Sequence, residues 1–194
     1  IVMGGGLGLF MGGSHRVVTT STRMAMPEIN IGLYPDVGAS YFLNQLPAGL
    51  GLFLGITGCE WNAVDALALG MAQFFTTDAA SEQLPALLAS VTWSNDTTHN
   101  REQLTAALRT LPAASSNPCL TAHSDSIRAA CSNLQTAVSA LPTLDITEAW
   151  FQTALHNLNH GCPVTARLVE QQLQRGRKLP LADIFRMEWC MSVQ

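Results

Sequence analysis

The sequence predicts an α/β fold over residues 1–78, followed by an all-helical region over residues 79–194. Three observations support this division. Short strand-like stretches alternate with helix-like ones up to Asp78, strand signal is almost absent after it, and the later apolar residues recur at a spacing near 3.6 between prolines. With 194 residues and 47% apolar content, the chain can bury a sizeable core.

The first 78 residues have the strand and helix order of a layered α/β fold. The predicted elements are a strand end at 1–3, a short helix at 6–12, strands at 16–19 and 23–26, a loop at 27–35, helices at 37–46, 48–57 and 63–70, and a strand at 71–75. Asn62 is a typical N-cap for the helix that follows it.

The region after residue 78 shows only helical periodicity. Its predicted helices lie at 81–92, 100–111, 124–140, 146–159, 163–175 and 181–194. The breaks between them are marked by five prolines, namely Pro112, Pro118, Pro142, Pro163 and Pro180.

Composition excludes several classes of protein. A net charge of −4 disfavours the basic surface that nucleic acids require, so no nucleic-acid partner is expected. No apolar run approaches the roughly 18 residues that span a bilayer, so no membrane partner is expected either. Five cysteines without a C-x-x-C pair indicate neither a disulfide framework nor a zinc site and favour a reducing compartment. His156 and His160 have a metal-ligand spacing, but no third ligand is evident and no metal is predicted.

The stretch MGGGLG, at residues 3–8, places four glycines in five positions at the entry to a short apolar helix. Its spacing does not match the dinucleotide-binding G-x-G-x-x-G pattern, because Leu9 and Met11 stand where a glycine or alanine would be needed. A P-loop is also excluded, because the only lysine is Lys178. Two interpretations remain: a backbone turn whose free N–H groups bind an oxyanion, or a tight turn that binds nothing.

The segment PEINIGLYPD, at residues 27–36, carries two carboxylates among apolar residues. Gly32 and Pro35 allow the chain to fold back, so that Glu28 and Asp36 can face one cavity as an acid–base pair. Apolar neighbours would desolvate such a carboxylate and raise its pKa, which suits proton transfer or attack near neutral pH. The alternative is that Glu28 faces solvent and Asp36 caps the helix that begins at Val37.

Together these motifs resemble the crotonase superfamily, and within it the 3-hydroxyisobutyryl-CoA hydrolase branch. The resemblance rests on MGGGLGLFMGGSHRVVTTSTRMAMPEINIGLYPDVGASYFL and LGLFLGITG in residues 1–78, and more loosely on CPVTARLV and LADIFRMEWCMS in the helical region. It implies the C-terminal part of a crotonase-like ββα spiral and an oxyanion hole to which Gly5 contributes a backbone N–H. It also implies an acyl-CoA substrate, with no separate cofactor because CoA is part of that substrate, and a possible homo-oligomer.

The same resemblance indicates the branch. Similar enoyl-CoA hydratases carry a glutamate where this chain has Gly8, keep the glutamate at Glu28, and have a glycine where this chain has Asp36. The hydrolase branch implies that Glu28 attacks the thioester or activates water, and that Asp36 holds the substrate hydroxyl or the water. The implied reaction is hydrolysis of 3-hydroxyisobutyryl-CoA in valine degradation, in a bacterial cytoplasm or the mitochondrial matrix. An enoyl-CoA hydratase or isomerase, or an inactive crotonase-like subunit, stays as an alternative.

The two ends of the sequence predict a piece of a longer protein. Ile1 begins what looks like the last residues of a buried strand, and the helical pattern is still running at Gln194. The resemblance would place the other oxyanion N–H and much of the CoA pocket before Ile1. We therefore expect residues 1–194 alone to hydrolyse the thioester at a low rate.

Overall fold

Two small β-sheets and twelve α-helices form the part of the chain that this computed structural model describes, residues 1–193. The strands are β1 (Val2–Met3), β2 (Val17–Thr19), β3 (Arg23–Ala25), β4 (Trp61–Asn62) and β5 (Phe74–Thr76). The helices are α1 (Gly5–Met11), α2 (Ala39–Phe42), α3 (Leu50–Thr57), α4 (Ala63–Ala68), α5 (Asp78–Ser81), α6 (Leu84–Ser90), α7 (Thr97–Leu108), α8 (Ser124–Ala130), α9 (Leu134–Ala140), α10 (Ala149–His160), α11 (Pro163–Gly176) and α12 (Leu181–Ser192).

The pairing of the strands sets where the site lies. In the first sheet β3 is central, parallel to β1 with Val2 opposite Met24 and antiparallel to β4. In the second sheet β2 and β5 are parallel. Because parallel strands end at the same edge of a sheet, the glycine turn after β1 and the Glu28 segment after β3 emerge side by side.

The core is organised around α3, all eight residues of which are buried. This helix packs against α8, α10 and α11, and Phe53 stacks on Phe151 of α10 with ring centroids 6.3 Å apart. Buried residues from Leu7 in α1 to Leu173 in α11 form one hydrophobic cluster. The helices of the C-terminal region therefore pack directly against the α/β part and against the segments that leave its sheet.

Most predicted elements are confirmed. Two elements, β4 and α5, were not predicted, and the elements predicted at 124–140 and 71–75 have other bounds. Gln194, the last residue of the helix predicted at 181–194, lies outside the described residues. Strand β4 was not predicted, because two residues are too few to show a period of two. The helix predicted at 124–140 is interrupted after Ala130, since Asn133 starts α9 by accepting a hydrogen bond from Thr136 N. The strand predicted at 71–75 begins only at Phe74.

The division of the chain into two domains at residue 78 stays a prediction. All five strands precede Asp78, and one isolated bridge joins Thr76 to Ala113. Within residues 1–193 no helix combines the length and apolar character needed to cross a membrane.

Candidate active site

The glycine triplet forms the first turn of α1 and lies against Glu28. Gly4 has a φ of +51°, and its N–H donates to the Ala25 carbonyl, which ties the turn to the end of β3. A Cβ on Gly4 would stand 3.0 Å from Glu28 Oε1, so the backbone approaches the carboxylate as closely as glycine allows. Gly5 and Gly6 are exposed, and their N–H groups have no acceptor within the helix. Oxyanion binding by Gly5 stays a prediction that this geometry permits.

Glu28 begins a short 3₁₀ turn, Glu28–Ile31, separated from the end of β3 by two residues. The residue is only 7% exposed, and among residues 1–193 its Oε2 atom is buried without a hydrogen-bond partner. The pKa of Glu28 is raised to about 7, mainly by desolvation on burial, with the charge of Asp36 acting in the same direction. The alternative of a solvent-facing Glu28 is therefore wrong.

Asp36 is half-buried and does not cap a helix. Its backbone carbonyl accepts a hydrogen bond from Ala39 N. The N-cap of α2 is Gly38, which has no side chain with which to cap the helix. Within the described part of the chain the Asp36 carboxylate has no hydrogen-bond or ion-pair partner. It lies close enough to Glu28 to act on its pKa. The capping alternative is wrong. That Glu28 and Asp36 form an acid–base pair in one cavity stays a prediction.

Val37 occupies the space beside Gly8. The valine has a φ of +54°, which costs a β-branched residue about 1–3 kcal/mol. A Cβ on Gly8 would stand 2.6 Å from Val37 O and 2.7 Å from Val37 Cβ. Position 8 therefore accepts no side chain while the Val37 backbone keeps this conformation. Sequence reasoning singled out Gly8 but not Val37, because valine gives no signal of a positive φ.

We expect Gly8→Ala to lower the free energy of unfolding by about 1–3 kcal/mol, because the added methyl group overlaps the Val37 backbone. Gly6→Ala is the matched control in the same helix, since nothing lies within 4 Å of its Cβ position. Alanine there should raise stability by up to about 1 kcal/mol. Urea unfolding of the chain measures both. Equal effects of the two substitutions would contradict the close approach of Val37 to Gly8.

Three side chains near the end of the chain hold the segment around Asp36. Gln172 Nε2 of α11 donates to Pro35 O at 2.7 Å. From α12, the Glu188 carboxylate accepts from Gly38 N at 2.7 Å, and Ser192 Oγ lies 2.6 Å from Tyr34 Oη. Sequence reasoning missed these residues. The available signal was Glu188, a charge four positions after Ile184 on the buried side of α12.

The other candidate residues do not join this site. His156 and His160 stack on one face of α10 with centroids 4.1 Å apart. Among residues 1–193, no three His, Cys, Asp or Glu side chains gather in a way that could hold a metal ion. The expectation that the protein needs no metal stays a prediction.

Comparison with known proteins adds a family. The enoyl-CoA hydratase/isomerase family matches residues 1–194. The 3-hydroxyisobutyryl-CoA hydrolase 1 of Arabidopsis thaliana is 34% identical over 91% of this chain and 47% of its own length. The mitochondrial 3-hydroxyisobutyryl-CoA hydrolase of Xenopus tropicalis is 32% identical over 99% of this chain and 50% of its own length. The chain thus spans about half the length of these curated relatives.

A solved structure agrees with the sequence comparisons. The carnitinyl-CoA dehydratase of Mycobacterium thermoresistibile superposes with a TM-score of 0.81 at 30% identity, over 97% of this chain and 53% of that one. The ββα arrangement followed by helices predicted from the sequence is confirmed by this likeness. The chain belongs to the enoyl-CoA hydratase/isomerase family, in the crotonase superfamily near the 3-hydroxyisobutyryl-CoA hydrolase branch.

Proposed function

We propose that the protein carrying this chain hydrolyses a short branched 3-hydroxyacyl-CoA thioester, namely 3-hydroxyisobutyryl-CoA, to 3-hydroxyisobutyrate and CoA. The observation that carries the proposal is the desolvated Glu28 carboxylate. Its Oε1 atom lies 3.0 Å from the position that a Cβ on Gly4 would take, in the turn whose next N–H groups, those of Gly5 and Gly6, are exposed. The charge of Asp36 acts on its pKa. The names of the Arabidopsis and Xenopus relatives support the same substrate.

The reaction follows from these groups. Glu28 in its carboxylate form either attacks the thioester carbonyl carbon or takes a proton from the water that attacks it. The negative charge that develops on the carbonyl oxygen is stabilised by the Gly5 N–H, at the positive end of α1. The carbon–sulfur bond then breaks and the CoA sulfur leaves with a proton. Where Glu28 has attacked, water hydrolyses the mixed anhydride between Glu28 and the acyl group and restores the carboxylate. By either route, the atoms of one water molecule end in the acid and the thiol. Asp36 accepts a hydrogen bond from the substrate hydroxyl or from the water.

The space beside Gly8 favours hydrolysis over hydration. A hydratase of the two-glutamate type needs a carboxylate at position 8, where even a methyl group would overlap Val37. An isomerase that uses Glu28 as its single base is a second candidate, because its chemistry needs no group at position 8. An inactive subunit is the non-enzymatic candidate.

The proposed setting is valine degradation in a reducing compartment. The names of the Xenopus and Dictyostelium relatives include "mitochondrial", which supports the mitochondrial matrix over a bacterial cytoplasm. A homo-oligomer stays part of the proposal as a possible partner arrangement.

Product identification tests the function. The longest natural protein that carries these residues is incubated with 3-hydroxyisobutyryl-CoA and, separately, with its dehydrated counterpart, 2-methylacryloyl-CoA. We expect free thiol and 3-hydroxyisobutyrate from the first substrate, with no thiol in the Glu28→Gln control. A hydrated or isomerised acyl-CoA without thiol would favour the hydratase or isomerase, and no product from either would favour the inactive subunit.

A further inference from the structure

Glu188 is a buried carboxylate without a cation. It is 3% exposed, and none of the ion pairs among residues 1–193 includes it. Its two oxygens instead accept backbone N–H groups, Oε2 from Gly38 at 2.7 Å and Oε1 from Ser40 at 3.0 Å. These donors belong to the first turn of α2, which starts two residues after Val37. A residue of α12 therefore supplies the cap that α2 lacks in its own sequence.

Side chains and backbone of α11 and α12 also bind the two residues that precede Asp36. Tyr34 Oη donates to the Glu188 carbonyl at 2.8 Å, while Gln172 of α11 binds Pro35 O. Asp36 and Val37 thus lie between Pro35 and Gly38, whose backbone groups are both held by hydrogen bonds. Val37 keeps its positive φ in this segment, a conformation that persists only when its surroundings determine it.

We propose that Glu188 is a positioning residue for the site. By fixing the N–H groups of Gly38 and Ser40, it holds the Val37 turn and keeps the Asp36 carboxylate beside Glu28. The role of Asp36 toward the substrate rests on the proposed function. The placement of Asp36 by Glu188 does not, and it can be tested without an activity assay.

The charges around Glu188 fit this role. Burial raises the pKa of the Tyr34 hydroxyl, and the charges of Asp36 and Glu188 raise it further, so both carboxylates lie near this phenol. Helix α12 also carries Asp183, but that carboxylate is paired with Arg186 at the surface. Burying a carboxylate for stability alone is inefficient, because an apolar side chain of similar volume often stabilises as much.

The test is a double-mutant cycle read at Glu28. The pKa of Glu28 is measured by ¹³C NMR of the carboxyl carbons in this chain, with Glu28→Gln used for assignment. The variants are Glu188→Ala, Asp36→Ala and the two together. Asp65→Asn is the matched control, because Asp65 is also a fully buried carboxylate that accepts backbone N–H groups, in the capping box of α4, and its partners Asn62 and Thr121 lie outside the site.

We expect Glu188→Ala to lower the pKa of Glu28 as Asp36→Ala does, with no further decrease in the double variant. Asp65→Asn should leave that pKa unchanged although it destabilises the fold. The proposal is overturned if the folded Glu188→Ala chain keeps the Glu28 pKa of the unchanged chain, or if the two substitutions add. Should Glu188→Ala fail to fold, Glu188→Gln decides by the same criteria. Its one carbonyl oxygen can still accept one of the two N–H groups, so its shift should be smaller.

Activity gives a second readout in the longest natural protein. We expect Glu188→Ala to reduce the ratio of kcat/KM for 3-hydroxyisobutyryl-CoA over isobutyryl-CoA by roughly tenfold, because Asp36 no longer faces the hydroxyl. Glu188→Gln should restore part of that ratio, and Asp65→Asn should not change it. An unchanged ratio in Glu188→Ala would count against the proposal. If the unchanged protein releases no thiol, the proposed function fails while the titration cycle still decides the position of Asp36.

Discussion

Glu28→Gln is expected to lower kcat for thiol release from 3-hydroxyisobutyryl-CoA by about 100-fold or more, since a nucleophile or general base is worth at least that much. Glutamine keeps the volume of the buried side chain but can neither attack the carbonyl nor accept a proton. CoA affinity should stay within a few-fold, because the role proposed for Glu28 is at the thioester and not at the CoA moiety. Steady-state kinetics in the longest natural protein measure both. Activity within threefold of the unchanged enzyme would remove Glu28 from the mechanism.

The stability of the same variant is its control for folding. The pKa of Glu28 is about 7 in the folded chain, against an ordinary value of 4.5. The folded state therefore binds more protons than the unfolded state between these pH values, and stability falls as pH rises through this window. The glutamine of the variant does not titrate, so the gain in Tm over the unchanged chain should be larger at pH 8 than at pH 5. A loss of activity with a lower Tm at pH 8 would indicate misfolding instead.

Asp36→Ala is expected to reduce the preference for the hydroxylated substrate by roughly 10- to 150-fold, the value of a hydrogen bond to a charged acceptor. The measurement is the ratio of kcat/KM for 3-hydroxyisobutyryl-CoA to that for isobutyryl-CoA, which lacks the hydroxyl. The reason is that the Asp36 carboxylate has no other partner among the described residues and is free to accept from the substrate.

Asp36→Asn is the companion variant, because its amide oxygen can still accept while the charge is gone. It should lose less of the preference than alanine. An unchanged ratio in Asp36→Ala would mean that Asp36 holds the attacking water or serves the fold. In that case kcat would fall equally for both substrates.

The local parts of the site could be predicted from the sequence. A run of glycines and two carboxylates on a Gly/Pro-containing loop are patterns within ten residues, and they identified the glycine turn, Glu28 and Asp36 as candidates. The choice of Gly5 within that turn came from the family resemblance. Their meeting follows from the parallel pairing of β1 with β3, which the strand and helix order favours but which two-residue strands cannot fix.

The remaining parts depend on contacts between residues far apart in the chain. Glu188 binds N–H groups about 150 positions earlier, and neither end of that contact has a local signal beyond a charge on a buried helix face. The positive φ of Val37 is imposed by its anchored neighbours, against the preference of valine itself. Strand β4 exists only because β3 offers it an edge.

The pH dependence of thiol release tests most directly that the buried carboxylate of Glu28 performs the hydrolysis. The measurement is kcat/KM for 3-hydroxyisobutyryl-CoA from pH 5 to pH 9 in the longest natural protein, which reports ionisations of the free enzyme. Because the reaction needs the carboxylate form, we expect kcat/KM to rise with pH through a midpoint of about 7 and then level off. The rise should be absent from the residual activity of Glu28→Gln. A kcat/KM that is constant from pH 5 to pH 8, or a rise that persists in Glu28→Gln, would contradict the claim that the Glu28 carboxylate performs the hydrolysis.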